Sequence, residues 1–246
     1  MNLTTRAILL GVSAALLVGF SKTGMPGAGI PAVAIMAEVF RENTKLSVGA
    51  ILPLLLLGDV FAIVYYRRHA DWARLLELCP YVIAGMVPAY VVLRYVDDDT
   101  LRVSIGALIL VLLLLHVVRQ RYGFRRWSER RWFTAATGIL AGFATTVSNA
   151  AGPIMGIYLI GRHMDKQQFL GTSAWFFFLV NASKVPGYVA LGMMTADTLR
   201  FALLLAPVVA VGALLGIRFL KRIPQAVFDV LVLALAGIAA VRMLCS

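Results

Sequence analysis

The sequence predicts an all-α integral membrane protein made of two homologous halves, and three observations carry that expectation. Of the 246 residues 61% are hydrophobic and 14% charged, whereas soluble domains are about half apolar and roughly a quarter charged. The apolar residues gather in blocks, with basic residues mostly in the short connections between them. The third observation is a weak internal repeat. A net charge of +11 would suggest nucleic acid in a soluble protein. Here it follows the positive-inside placement of membrane proteins, so no nucleic-acid partner is expected.

The first element, Met1–Phe20, places Arg6 ahead of an apolar run with small residues. It resembles a secretory signal, but no soluble domain follows, so it is expected as the first membrane segment. It runs into a break, Gly19-Phe-Ser-Lys-Thr-Gly-Met-Pro-Gly-Ala-Gly-Ile-Pro31, whose glycines and prolines interrupt helix. The blocks Leu46–Tyr66, Trp72–Leu93 and Thr100–Val118 follow. Each approaches the roughly 20 residues that a helical span needs. They are too long and continuous for barrel strands of about 10 alternating residues.

Arg119–Arg131 holds six arginines and no apolar run, and is expected as a connecting loop. A second break follows, Gly142-Phe-Ala-Thr-Thr-Val-Ser-Asn-Ala-Ala-Gly-Pro153. Then come the blocks Phe169–Met194, Leu199–Leu220 and Ala226–Leu244. Gly19 aligns with Gly142, Gly29 with Gly152, Asp59 with Asn181, and Pro80…Gly85 with Pro207…Gly212. The expected division is therefore a first membrane repeat over 1–118, a basic loop over 119–131 and a second repeat over 132–246. Each repeat has a broken or re-entrant first segment followed by three transmembrane helices. The pieces 6–20 and 27–39, and likewise 133–146 and 151–161, are expected as separate short helices around a cavity, because irregular backbone at membrane depth must be buried or wet.

Re-entrant first segments would give each half three crossings and invert the halves. One side then collects fourteen basic residues, from Arg67, Arg68 and Arg74 through the loop arginines to Arg162, Lys166, Arg218, Lys221 and Arg222. The other side holds seven: Arg6, Arg41, Lys45, Arg94, Arg102, Arg200 and Arg242. Eight spanning segments split the charges twelve to nine, so the inverted arrangement obeys the charge rule better. It puts the basic loop in the cytoplasm and both termini outside.

Polar groups in such apolar surroundings are the candidate site. Lys22 lies in the first break, beside helix starts whose amides attract anions; the bland alternative is an interfacial lysine that snorkels. Lys184 lies inside an apolar block, one turn after Asn181 and ahead of Pro186. A charge there costs about 2.5–3.5 kcal/mol on insertion scales and usually faces a cavity or a partner; a structural bond to a carbonyl freed near Pro186 is the alternative. Asp59 must pair or take up a proton, as a salt-bridge partner of Lys22 or Lys184 or as a proton carrier. Thr23, Asn149, Thr172 and Ser173 are candidate donors to anion oxygens, or packing groups between helices. His69, His116, His163, Cys79 and Cys245 have no metal-ligand or redox spacing, and no metal or cofactor is expected. The run Trp175-Phe-Phe-Phe178 is expected to pack or meet lipid rather than hold a cation.

At the breaks the sequence resembles the sulfite exporter TauE/SafE family, also called the toluene sulfonate uptake permease family. The likeness runs from Gly19-Phe-Ser-Lys-Thr-Gly-Met-Pro-Gly-Ala-Gly-Ile through Gly58-Asp59, Tyr66-Arg-Arg-His-Ala-Asp-Trp72 and Pro80…Gly85. It continues in Asn149-Ala-Ala-Gly-Pro153, Gly171-Thr-Ser173 and Asn181-Ala-Ser-Lys184-Val-Pro186. The second break has Thr145 where the first has Lys22, so the site need not be symmetric. The resemblance implies a multi-pass carrier of the bacterial inner membrane for sulfite or a small organosulfonate, often an exporter. Its expected partners are the sulfur-containing anion and the bilayer, with protons and a second copy of the chain as further candidates. An anion channel is the alternative. A membrane-embedded enzyme would need a nucleophile–base pair or a metal cluster at membrane depth, which the sequence does not offer, so no enzyme is expected.

Overall fold

A computed structural model describes residues 5–24, 29–122, 130–162, 164, 166–219 and 241. These residues form helices joined by short turns, with no strand among them. In order they are α1 (Thr5–Thr23), α2 (Ile30–Val39), α3 (Thr44–Tyr66), α4 (Trp72–Tyr95), α5 (Asp98–Tyr122), α6 (Arg131–Ser148), α7 (Gly152–Gly161), α8 (Lys166–Ala190) and α9 (Ala196–Phe219). By length and composition, four of the described helical stretches can cross a membrane: Thr5–Thr23, Thr44–His69, Trp72–Tyr95 and Ala196–Arg218. This is the signature of a multi-pass membrane protein. The block Ala226–Leu244 apart from residue 241, the centre of the first break at 25–28, most of the basic loop and His163 lie outside the described residues.

Local chemistry sets the helix ends. Asn43 accepts from the Leu46 amide at 2.9 Å and Asp71 from the Arg74 amide at 3.1 Å, so each caps the helix that follows it. Asp97 does the same for α5, accepting from the Thr100 amide and hydroxyl at 2.8 Å each. α8 stops at Gly192, whose φ of +69° suits glycine. There Met193 N–H bonds the Tyr188 carbonyl at 2.9 Å and Gly192 N–H the Val189 carbonyl at 3.0 Å.

Both first segments are longer before the break than the apolar pieces in the sequence. α1 continues through Lys22 and Thr23, so Lys22 sits in the last turn of a helix and not in the break itself. α6 likewise continues through Thr145, Thr146 and Ser148. The reason is that these side chains are satisfied without leaving the helix. The hydroxyls of Thr146 and Ser148 donate to the carbonyls of Gly142 and Ala144 at 2.8 and 2.9 Å. That of Thr23 donates to Ala213 on α9 at 2.7 Å. Polar residues at membrane depth therefore do not end the helix here.

Two helix crossings are close enough to need glycine. A Cβ on Gly19 of α1 would collide with the Val209 carbonyl of α9, and one on Gly212 of α9 with the Leu16 carbonyl of α1. At the second crossing, a Cβ on Gly142 of α6 would collide with the Val82 carbonyl of α4, and one on Gly85 of α4 with the Ile139 carbonyl of α6. Gly19 and Gly142 are aligned positions in the sequence, as are Gly85 and Gly212. Small residues that let membrane helices approach by their backbones do this work in place of a hydrophobic driving force. Between the crossings lie α3 and α8, joined by a bond from Asn181 Nδ2 to Asp59 Oδ2 of 2.6 Å.

Contacts at the helix ends fix how the broken segments run. Arg6 at the start of α1 meets Glu38 at the end of α2 at 3.0 Å, and Arg102 near the start of α5 meets the same carboxylate at 3.4 Å. The start of α3 is tied to that of α5 by Lys45 N–H to Asp98 at 2.9 Å. Just past the end of α7, Arg162 donates to Thr134 at the start of α6 at 2.6 Å and to Glu77 in the second turn of α4 at 3.1 Å. Arg74 completes that cluster at 3.1 Å from Glu77. Each broken segment thus returns to the end at which it began, α1–α2 beside the start of α3 and α6–α7 beside the start of α4.

Candidate functional site

The two breaks open into one cleft. Ser21 and Lys22 come to it from α1, Gly29 and Ile30 from the start of α2, and Leu55 and Asp59 from α3. Asn149, Ala150 and Gly152 come from the α6–α7 break, and Ser173, Ala174 and Phe177 from α8. The starts of both ten-residue helices, α2 and α7, therefore border it. The first amides of a helix have no partner within it and carry its partial positive charge.

Lys22 is the cation in the wall. Its Nζ lies 2.7 Å from Asp59 Oδ1, with 11% of the lysine side chain exposed and none of the aspartate. The ammonium also rests 4.2 Å from the centre of the Phe177 ring, a favourable contact when desolvated. Among the described residues Asp59 is its oxygen partner. Asp59 Oδ2 accepts from Asn181, so both carboxylate oxygens are occupied from different helices.

Lys184 lies behind the wall and does not line the cleft. It is fully buried, and its ammonium reaches the Thr145 carbonyl and hydroxyl at 3.0 Å each and Asn149 Oδ1 at 2.6 Å. An ammonium has three protons, and these three acceptors use them all. The lysine sits on the carboxyl end of α6, where the helix dipole favours a cation. It holds Asn149, whose φ of +56° is unusual for a residue other than glycine. Asn149 Nδ2 in turn donates to the Val48 carbonyl of α3 at 3.0 Å. Lys184 thus bonds α6 at the second break, and not a carbonyl beside Pro186.

The structure therefore brings Lys22, Asp59, Asn149 and Ser173 to the cleft, with Asn181 and Lys184 one step back. Thr23 and Thr172 do not line the cleft. Thr23 is buried against α9, bonded to Ala213, and its own carbonyl accepts from Tyr66 at 2.9 Å. Thr172 accepts from the Asp71 amide at 2.9 Å and so ties α8 to the start of α4.

Sequence reasoning passed over Ser21, Thr145 and Phe177. Thr145 was visible as the position aligned with Lys22. Phe177 belongs to the run Trp175-Phe-Phe-Phe178, which was expected to pack or meet lipid rather than hold a cation; its ring instead faces the Lys22 ammonium, and nothing in the run marks which ring does so. With all groups ionised, Lys22, Lys184 and Asp59 sum to one positive charge. Such a cleft suits a small anion, offering an ammonium, hydroxyls and helix amides as donors. Among the described residues no group of three or more His, Cys, Asp or Glu could hold a metal ion.

Comparison with known proteins gives one match: the family model described as sulfite exporter TauE/SafE covers residues 8–243. No curated protein and no solved structure matches the chain.

Proposed function

The chain belongs to the sulfite exporter TauE/SafE family of membrane transporters, and from that premise we propose that it is a secondary transporter that binds sulfite or a small organosulfonate in the cleft between the two breaks. The observation that carries the reading is Lys22, an ammonium in the wall of a cleft bordered by two helix starts. An entering anion meets Lys22 first. It shares that ammonium with Asp59, and Ser21, Ser173 and the amides of α2 and α7 are within the same cleft as further donors. Lys184 contributes charge and the position of Asn149 rather than a direct bond.

The bilayer is the bacterial inner membrane in this reading, and the halves 1–118 and 132–246 are inverted repeats. Support for the inversion comes from the end contacts. Arg6–Glu38 gathers α1 and α2 at one end of α3, and Arg162–Thr134–Glu77 gathers α6 and α7 at the other. Such a pairing of broken helices around a shared site suits alternating access.

The test is a thermal-shift panel on purified protein with sulfite, thiosulfate, sulfate, sulfoacetate and taurine, followed by flux in proteoliposomes. A ligand that binds the folded state raises apparent stability by about 2.7 kcal/mol at a hundredfold excess over Kd. At least one sulfur anion should raise the melting temperature of the wild type, and the same anion should fail with Lys22→Gln. Uptake against a gradient separates a carrier from a channel. No response to any of the five compounds would refute the reading.

A further inference from the structure

We propose that Asp59 matches proton uptake to the charge of the bound anion: a dianion enters the cleft together with one proton that Asp59 takes up, and a monoanion enters with none. The proposal rests on the cleft being the anion site described above.

The argument begins with a count of charge. Lys22 from α1 and Lys184 from α8 are the charged groups that act on Asp59. Among the described side chains, those of α2, α5 and α9 that carry charge, such as Glu38, Arg102, Asp197, Arg200 and Arg218, lie towards the helix ends. Asp59, Lys184 and Asn181 are buried. Excess charge in such surroundings is costly, and a buried cluster tends to titrate towards neutrality. With Lys22 and Lys184 as ammoniums and Asp59 as a carboxylate the empty cleft carries one positive charge, and Lys22 keeps some exposure there. A sulfonate cancels that charge. A dianion leaves one negative charge over, and a proton is needed to remove it.

Geometry decides which group takes that proton. Lys184 is held as an ammonium in this proposal, because its Nζ has three oxygens within 3.0 Å, one for each proton, and lies at the carboxyl end of α6. Lys22 is the group that the anion needs as a cation. Asp59 is the carboxylate of the cluster, and its two oxygens have separate duties. Oδ2 accepts from Asn181 and keeps that bond in either protonation state. Oδ1 faces Lys22 at 2.7 Å in the cleft wall.

A proton from the aqueous phase that binds Oδ1 converts an acceptor into a donor. The neutral carboxyl no longer holds Lys22 in an ion pair, and the Lys22 ammonium is released to the anion. No other bond is made or broken. Proton and dianion thus bind with positive linkage, and each raises the affinity for the other.

The experiment is calorimetry on the purified full-length protein, in buffers of different ionisation enthalpy, with thiosulfate and methanesulfonate. Across neutral pH the first is a dianion and the second a monoanion. Sulfite is avoided because it changes charge in that range. About one proton should be taken up per thiosulfate and none per methanesulfonate. Thiosulfate affinity should fall about tenfold for each unit rise in pH, while methanesulfonate affinity stays level.

Asp59→Asn should bind thiosulfate with no proton uptake and no pH slope. If that variant does not fold, Lys184→Gln serves instead. It removes one positive charge, so methanesulfonate should now take up about one proton. The count for either anion in the wild type decides the matter alone: zero for thiosulfate, or one for methanesulfonate, overturns the proposal while leaving the anion site intact. Absence of binding by both anions overturns the site and the proposal together.

Discussion

In the proposed reading Lys22 meets the anion and the other residues of the cleft hold Lys22 in place, and substitutions should separate the two roles. Lys22→Ala strands the Asp59 carboxylate without its cation. Breaking a buried pair by removing one partner costs about 3–5 kcal/mol, so the variant should melt well below the wild type. Adding Asp59→Asn removes the stranded charge, and the double variant should regain most of that loss while remaining unable to bind anion. Melting temperature with and without sulfite checks both statements. A double variant that binds as tightly as the wild type would remove Lys22 from the site. Lys184→Ala behaves differently. It leaves the Asn149 side-chain oxygen unbonded, at about 1–3 kcal/mol for a buried acceptor, takes one of two donors from the Thr145 carbonyl, which keeps the Asn149 amide at 3.0 Å, and loosens the break between α6 and α7. Its loss of anion binding should come with a loss of stability in the empty protein, which sulfite at high concentration partly restores.

At the scale of elements, the prediction concerns the glycine crossings. Gly85→Ala places its Cβ against the Ile139 carbonyl, which is backbone and cannot rotate away. Overpacking of this kind costs about 1–3 kcal/mol. Gly192→Ala meets no neighbour and is strained by its φ of +69° alone, so Gly192→Asn should be nearly neutral where Gly85→Asn is not. Thermal melts of the four variants test this, and equal losses at both sites would show that the crossing is not tight.

The long elements were legible in the sequence because continuous apolar blocks of about 20 residues read as membrane helices, whereas the caps Asn43, Asp71 and Asp97 came to light only in the structure. Their ends came within a few residues. The broken segments were legible as breaks but not in length. Lys22 and Thr145–Ser148 looked like the interruption and are in fact the last turns of α1 and α6. The sequence offered Asp59 to Lys22 or Lys184 without deciding between them, and the structure gives it to Lys22; the carbonyls one turn back that hold Thr146 and Ser148 left no mark in the sequence. The same blindness explains the site. Lys184 resembled a ligand group because a buried charge calls for a partner, and its partners turned out to be Thr145 and Asn149, across a helix interface that one-dimensional spacing does not record.

For the whole molecule the prediction is orientation. In a background of Cys79→Ser and Cys245→Ser, Glu42→Cys and Arg130→Cys should be labelled from opposite faces of the membrane, and Arg68→Cys from the face that labels Arg130→Cys. All three positions are exposed. The face shared by Arg68 and Arg130 should be the cytoplasmic one, because it gathers the larger share of arginine and lysine. Labelling of Glu42→Cys and Arg130→Cys from one face would rule out inversion. The crossings also carry a consequence for biosynthesis. The glycine face of α1 packs on α9, and the bond from Thr23 to Ala213 spans 190 residues of sequence. At the roughly 5–20 residues per second of translation, α1 waits about 10–40 s in the bilayer before its partner exists. The crossing of α4 with α6 closes far sooner. The order of synthesis therefore makes the pairing of α1 with α9 a late step of assembly, and until it closes the nascent protein carries an unfilled glycine seam that insertion factors or lipid must shield.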